Sequence, residues 1–185
     1  MMKRRALLLV TAALTALLVS AGGTAAYLAD RTERLHNTFT PAEVTCQVTE
    51  QVRDNEKTEI RVQNTGNIPA YLRLRLLSYR VNEDGQRIGG TASIPAFLPG
   101  EGWLAGEDGC WYYKSPVEPG ALTGNLLAGA LPLRAYTDAD GGRQVIEVVA
   151  EAVQAAPEQA AEQAWPAVTV VNGLLTAAQE GGSGA

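Results

Sequence analysis

Apolar and polar positions alternate with a period of two through most of the middle of the chain. Val44, Cys46, Val48 and Val52 alternate with Thr45, Gln47 and Thr49; Ile60 and Val62 with Glu59, Arg61 and Gln63; Leu72, Leu74 and Leu76 with Tyr71, Arg73 and Arg75. Successive side chains of a strand point to opposite faces, so each run predicts a strand with one buried face. Residues 109–114, 131–136 and 144–153 predict three more; in the last, Ile146, Val148, Ala150 and Ala152 alternate with Glu147, Val149 and Glu151. Between the runs stand Asp84-Gly85, Asp108-Gly109, Asp140-Gly141 and Asn172-Gly173, pairs that tolerate the positive φ of tight turns, and Pro-Gly at 99–100 and 119–120 marks loops. Short strands at this spacing predict an all-β fold, an antiparallel β-sandwich of jelly-roll-like kind.

One short C-terminal helix is expected after Pro157, running through Glu158, Ala160, Ala161 and Glu162 to Trp165 and stopped by Pro166. Its Ala-rich face with Trp165 is expected to cap one end of the sandwich. Val168, Val170 and Val171 predict a last strand, and the Gly-rich end a flexible tail at 179–185. The sandwich is thus assigned to 43–178.

The first 42 residues follow a different pattern. Lys3-Arg4-Arg5 is a positive start, residues 6–19 form an apolar run broken only by Thr11 and Thr15, and small residues follow to Ala26. Thr24 and Ala26 fill the small −3 and −1 positions of a signal-peptidase site, which predicts a signal peptide over 1–26 with cleavage before Tyr27. The alternative is an uncleaved anchor, since the uncharged stretch of 24 residues from Ala6 to Ala29 reaches the roughly 20 residues a spanning helix needs. Either way the positive end stays cytoplasmic and the body lies outside the cell. Residues 27–42 form an N-terminal segment.

The run from Gly22-Gly23-Thr24-Ala25-Ala26-Tyr27 through Asp30, followed by Asn37-Thr38-Phe39-Thr40, resembles the signal region of the TasA/camelysin family. Two later stretches resemble clostridial-type members: Asn64-Thr65-Gly66-Asn67-Ile68-Pro69-Ala70-Tyr71-Leu72-Arg73, and Trp111-Tyr112-Tyr113 with Pro119-Gly120 and Thr123. Together they touch about a third of the chain. The resemblance implies an exported biofilm-matrix fibre protein of Gram-positive type, processed by a dedicated signal peptidase of the SipW type. A departure occurs at Thr40-Pro41-Ala42-Glu43, where the family has a Gly-containing turn, and leaves the start of the first strand open.

Composition narrows the chemistry. The 185 residues carry 15 Lys and Arg against 20 Asp and Glu, a net charge of −5. Without the three N-terminal basic residues the balance is 12 against 20, so no clustered basic surface is available to neutralise nucleic-acid phosphates. His36 is the sole histidine, which excludes a zinc protease site with two or more His within one chain; a Ser/His/Asp triad would need this same histidine, and no G-x-S-x-G appears. No catalytic, metal or cofactor residues are assigned. Asp138-Ala139-Asp140-Gly141 faintly resembles a calcium loop, but Val149 stands where a bidentate glutamate is required, and a hairpin turn accounts for the same residues.

Cys46 and Cys110 are an even pair in an exported protein, which makes a disulfide the default, with two buried thiols as the alternative. Trp103 and Trp111, beside Tyr112 and Tyr113, suit either sugar stacking or core packing. The leading expectation is assembly into extracellular fibres or matrix by β-strand addition. The segment freed by cleavage is the donor, with Tyr27, Leu28, Leu35 and Phe39 available to pack; Asp30-Arg31-Thr32-Glu33 also reads as a helix capping box. The expected partners are the signal peptidase during export, further copies of the chain and other matrix components. The alternative is a secreted or surface binding module, an adhesin or carbohydrate binder using exposed aromatics.

Overall fold

The computed structural model describes residues 41–178. In chain order the elements are β1 (Cys46–Arg53), β2 (Glu56–Asn64), β3 (Ala70–Val81), β4 (Arg87–Ile88), β5 (Trp103–Ala105), β6 (Trp111–Tyr113), β7 (Leu131–Pro132), β8 (Arg143–Gln154), α1 (Gln159–Ala164), β9 (Val168–Val171) and β10 (Leu174–Ala177). The smaller sheet has the order β1-β2-β7. In the larger sheet β8 runs along the whole of β3, whose other edge carries β4 and β6, and β5 follows β6. All pairs are antiparallel, and the fold is an all-β sandwich with one short helix, as the alternation predicts.

The alternating residues fill the space between the sheets. Ile60 and Val62 of β2 face Leu72, Leu74 and Leu76 of β3 and Ile146 of β8, joined by Trp103, Val117, Leu126, Leu127 and Leu131. Burying each such side chain contributes about 1.5–3 kcal/mol. Polar side chains, those of Asn64 and Thr123 buried and that of Asn125 half-buried, tie irregular backbone to this core. Asn125 accepts from Ile60 N at 2.9 Å and donates to Thr58 O at 3.1 Å, and Thr123 Oγ1 accepts from Val62 N at 3.0 Å. Asn64 donates to Ile68 O and Val117 O, both at 2.8 Å.

Four expectations are corrected. Val52 is half exposed, because the register shifts between Gln51 and Val52 as β1 nears its hairpin tip. Residues 131–136 do not form one strand: 131–132 pair with β2, whereas Ala135 bridges Arg143 at the start of β8. The last strand is half of a hairpin, since Asn172-Gly173 adopts positive φ and returns the chain as β10. Finally, α1 does not cap an end. Ala161 and Trp165 pack with Val168 and Leu175 against Tyr71, Cys110 and Tyr112, forming a second apolar cluster on the outer face of the larger sheet. This third layer buries Tyr71 on the face of β3 opposite Leu72, Leu74 and Leu76.

Candidate functional site

The two long edge strands define the most distinctive surface. The far edge of β2 is covered: Asn64 N donates to Ala121 O, Thr123 N to Val62 O and Leu126 N to Ile60 O, so residues 117–127 close it with β7. Among the described residues β1 pairs with β2 alone. Likewise β8 pairs with β3 alone, apart from its first turn against residues 134–136. The two open edges lie against each other at the same side of the sandwich. An open edge presents unpaired backbone N–H and C=O groups to any extended chain.

Inward-facing side chains at this side are incompletely covered. Val44, Cys46 and Val48 of the β1 segment and Val148, Ala150 and Ala152 of β8 are each half-buried, whereas Ile60, Val62, Leu72 and Leu74, one strand further in, are fully buried. The slot between the edges is therefore apolar and open. Residues 143–154 contain neither Pro nor Gly, so past the contacts of Arg143 and Gln144 with residues 134–135 β8 offers an uninterrupted edge from Val145 to Gln154.

A tight turn delivers the chain to this slot. Asn67 Oδ1 accepts from Glu43 N at 2.7 Å and its Nδ2 donates to Pro41 O at 2.8 Å. Thr65 N and Gly66 N both donate to Thr45 O, at 3.0 and 3.2 Å. The Asn64–Asn67 turn thus fixes where residue 41 leaves the body, beside the start of β1 at Cys46.

Cys46 and Cys110 are both free thiols. The expected disulfide is corrected by their placement: Cys46 packs with the core between the sheets, Cys110 with Tyr112 and Trp165 on the outer face of the larger sheet. That sheet stands between them. Burial pushes both thiols up; a nearby Glu151 charge adds to the effect at Cys46. Cys110 accepts a hydrogen bond from Arg75 Nη2 at 3.4 Å.

The aromatic residues divide. Trp103 is core, 5% exposed, with its indole N–H on Gly124 O at 3.0 Å and its ring edge-on to Tyr113 at 5.3 Å. It offers no face to a sugar. Trp111 is half-buried, stacked obliquely on Phe97 at 5.1 Å, and lines an open cleft with Leu76, Ile94 and Pro95. Tyr112 lies under Trp165; burial and its hydrogen bond to Asp108 push its phenol up to about 12.

The Asp138 turn is a clasp. Arg80, buried, donates to both carboxylate oxygens of Asp138 at 2.6 and 2.8 Å and stacks on Tyr136 at 3.6 Å. Asp138 Oδ1 also accepts from Gly141 N at 3.0 Å. Both oxygens of Asp138 are engaged by the guanidinium, which accounts for this carboxylate without an ion. Among the described residues no group of three or more His, Cys, Asp or Glu side chains is placed to hold a metal.

The open edges carried no sequence signal of their own, because edge and central strands share one alternation. Thr24, Ala26 and the proposed assembly residues Tyr27, Leu28, Leu35 and Phe39 lie outside the described residues. No family model, curated protein or solved structure matches this chain.

Proposed function

We propose that the chain is an exported structural protein that assembles into extracellular fibres or biofilm matrix by β-strand addition. The observation that supports this is the pair of stacked open edges, β1 and β8, with a half-buried apolar slot between them. A neighbour's extended segment would complete the ladder along β8 and cover Val148, Ala150 and Ala152. Residues 27–39 fit as donor, since Tyr27, Leu28, Leu35 and Phe39 supply apolar side chains and the turn at Asn64–Asn67 brings the chain out beside β1. Cleavage before Tyr27 would then time assembly, because a tethered precursor cannot lend this segment. The role is structural rather than catalytic, at the cell surface or beyond it, with signal peptidase, further copies and other matrix components as partners.

Electron microscopy of the chain from Tyr27 onward, with and without residues 27–39, tests the reading. Filaments from the longer form and soluble, cooperatively melting monomer from the shorter support it. Equal filament formation by both refutes donation by this segment.

A second reading, a surface binding module, rests on the Trp111–Phe97 cleft. Retention on an immobilised glycan that is lost in Trp111→Ala would favour it.

A further inference from the structure

The outer face of the larger sheet is covered only in part. Tyr71 and Tyr112 lie beneath the helix and hairpin layer. Beyond them the face continues as cross-strand rows: Arg75 opposite Val149, then Leu77 opposite Glu147, then Tyr79 opposite Val145. Leu77 is 42% exposed and Val149 40% exposed. They sit on one diagonal of a four-residue square, with Arg75 and Glu147 on the other; diagonal neighbours in a sheet are about 7–8 Å apart.

The surrounding charges are already committed within the chain. Arg73 donates to Glu151 at 2.7 Å and reaches Asp108 at 3.3 Å, and Arg87 lies over the Tyr79 ring at 4.9 Å. Glu147 takes part in none of the ion pairs among the described residues. Arg75 donates through Nη2 alone, to Asp108 O and Cys110 Sγ, which leaves Nε and Nη1 available among the described residues.

We propose that this patch docks onto the same patch of a second copy, face to face, about a two-fold axis along the Leu77–Val149 diagonal. Two identical patches meeting face to face have four simple in-plane axes to choose from. An axis along the strands sets Arg75 against Val149 and Glu147 against Leu77. An axis across the strands sets Arg75 against Leu77 and Glu147 against Val149. Both would bury charge against apolar side chains. An axis along the Arg75–Glu147 diagonal opposes each charge to its own kind. The remaining axis places Leu77 on Leu77 and Val149 on Val149, and exchanges Arg75 with Glu147, so that each cation meets a carboxylate. Isologous self-complementarity of this kind is what a two-fold dimer requires. The strands of the two copies then cross steeply, in the orthogonal class of sheet packing. The patch uses a face rather than an edge, so it stands independently of strand addition. Where copies are already arrayed, repeated patches would bind side by side with the gain of multivalency.

Cysteine cross-linking of the full chain tests this. The axis places residue 77 beside its own counterpart, so Leu77→Cys should form a covalent homodimer under mild oxidation about tenfold faster than Thr49→Cys, an exposed position on the outer face of the smaller sheet. Adding Glu147→Arg, which sets like charges together, should bring the rate down to that control while the thermal melt is unchanged. A Leu77→Cys rate equal to the control, or one indifferent to Glu147→Arg, would overturn the proposal.

Discussion

A Cβ placed on Gly66 would stand 2.3 Å from the carbonyl oxygen of Glu43. The neighbour is backbone, so neither side can yield without moving the turn. That turn carries the hydrogen bonds that set Pro41–Thr45 against the body, and with them the entry to β1. Gly66→Ala should therefore destabilise the protein by about 1–3 kcal/mol, the usual range for overpacking. Urea denaturation measures the loss, and hydrogen exchange should show the amides of β1 losing protection before those of β3. Asn67→Ala, which removes two hydrogen bonds without a clash, should act in the same direction with smaller effect.

The inner faces of β2 and β3 are legible in the alternation of Ile60, Val62, Leu72, Leu74 and Leu76, because burial on one face leaves a period of two. Tyr71 shows where that reasoning stops. It falls on the polar side of its strand pattern, yet is 1% exposed, because a helix and hairpin about a hundred residues later cover it. Its phenol donates to Gly173 O at 2.9 Å, in the turn that the Asn172-Gly173 pair predicts. The same layering separates the cysteines. Even number and export context favour pairing, but they carry no information about the sheet that stands between Cys46 and Cys110. Trp103 and Trp111 are indistinguishable in sequence, and β5 and β6 set both on the inner face of the larger sheet, where they part only in depth, Trp103 buried and Trp111 at the cleft. The Asp54-Asn55 hairpin, both residues at positive φ without a glycine, gives a weaker cue than the Asx-Gly pairs.

Both thiols should be countable. Protein unfolded without reductant should yield two free thiols per chain. In the folded state both should react slowly, since burial disfavours the thiolate, and Cys46 should react faster than Cys110 because it is the less buried of the two. Mass spectrometry after timed alkylation separates the two sites.

The Arg80–Asp138 clasp should give stability a specific dependence on pH. The guanidinium holds the Asp138 carboxyl below its ordinary range. The folded state therefore binds this proton less readily than the unfolded chain does. Its contribution is fully present above the unfolded value of about 3.9 and is lost as pH falls through the lower folded value. Asp138→Asn should lower the midpoint of denaturation at pH 7 and flatten the decline below pH 4. Calcium should leave the midpoint of the wild-type chain unchanged, because Arg80 occupies both carboxylate oxygens.

The open slot yields the most discriminating substitution. Ala150 lies on the inward face of β8, opposite Leu74 and only half-buried, so a longer side chain there has a route to solvent. A lysine at this position can extend its ammonium outward along its own stem, and the monomer should tolerate it with little change in its melt. An incoming strand would close that route and bury the charge without a partner, at a cost of about 2 kcal/mol or more. Inward-pointing charges on edge strands block edge-to-edge pairing for the same reason. Ala150→Lys should therefore slow filament formation by about tenfold or more, with cooperative unfolding retained. A charge of the same sign on the solvent-exposed side, as in Thr49→Lys on the outward face of β1, should leave assembly near its normal rate. Light scattering of the two variants beside the wild-type chain, at matched concentration, reads the difference. Equal rates for all three would mean that the slot between β1 and β8 is not where strands are added.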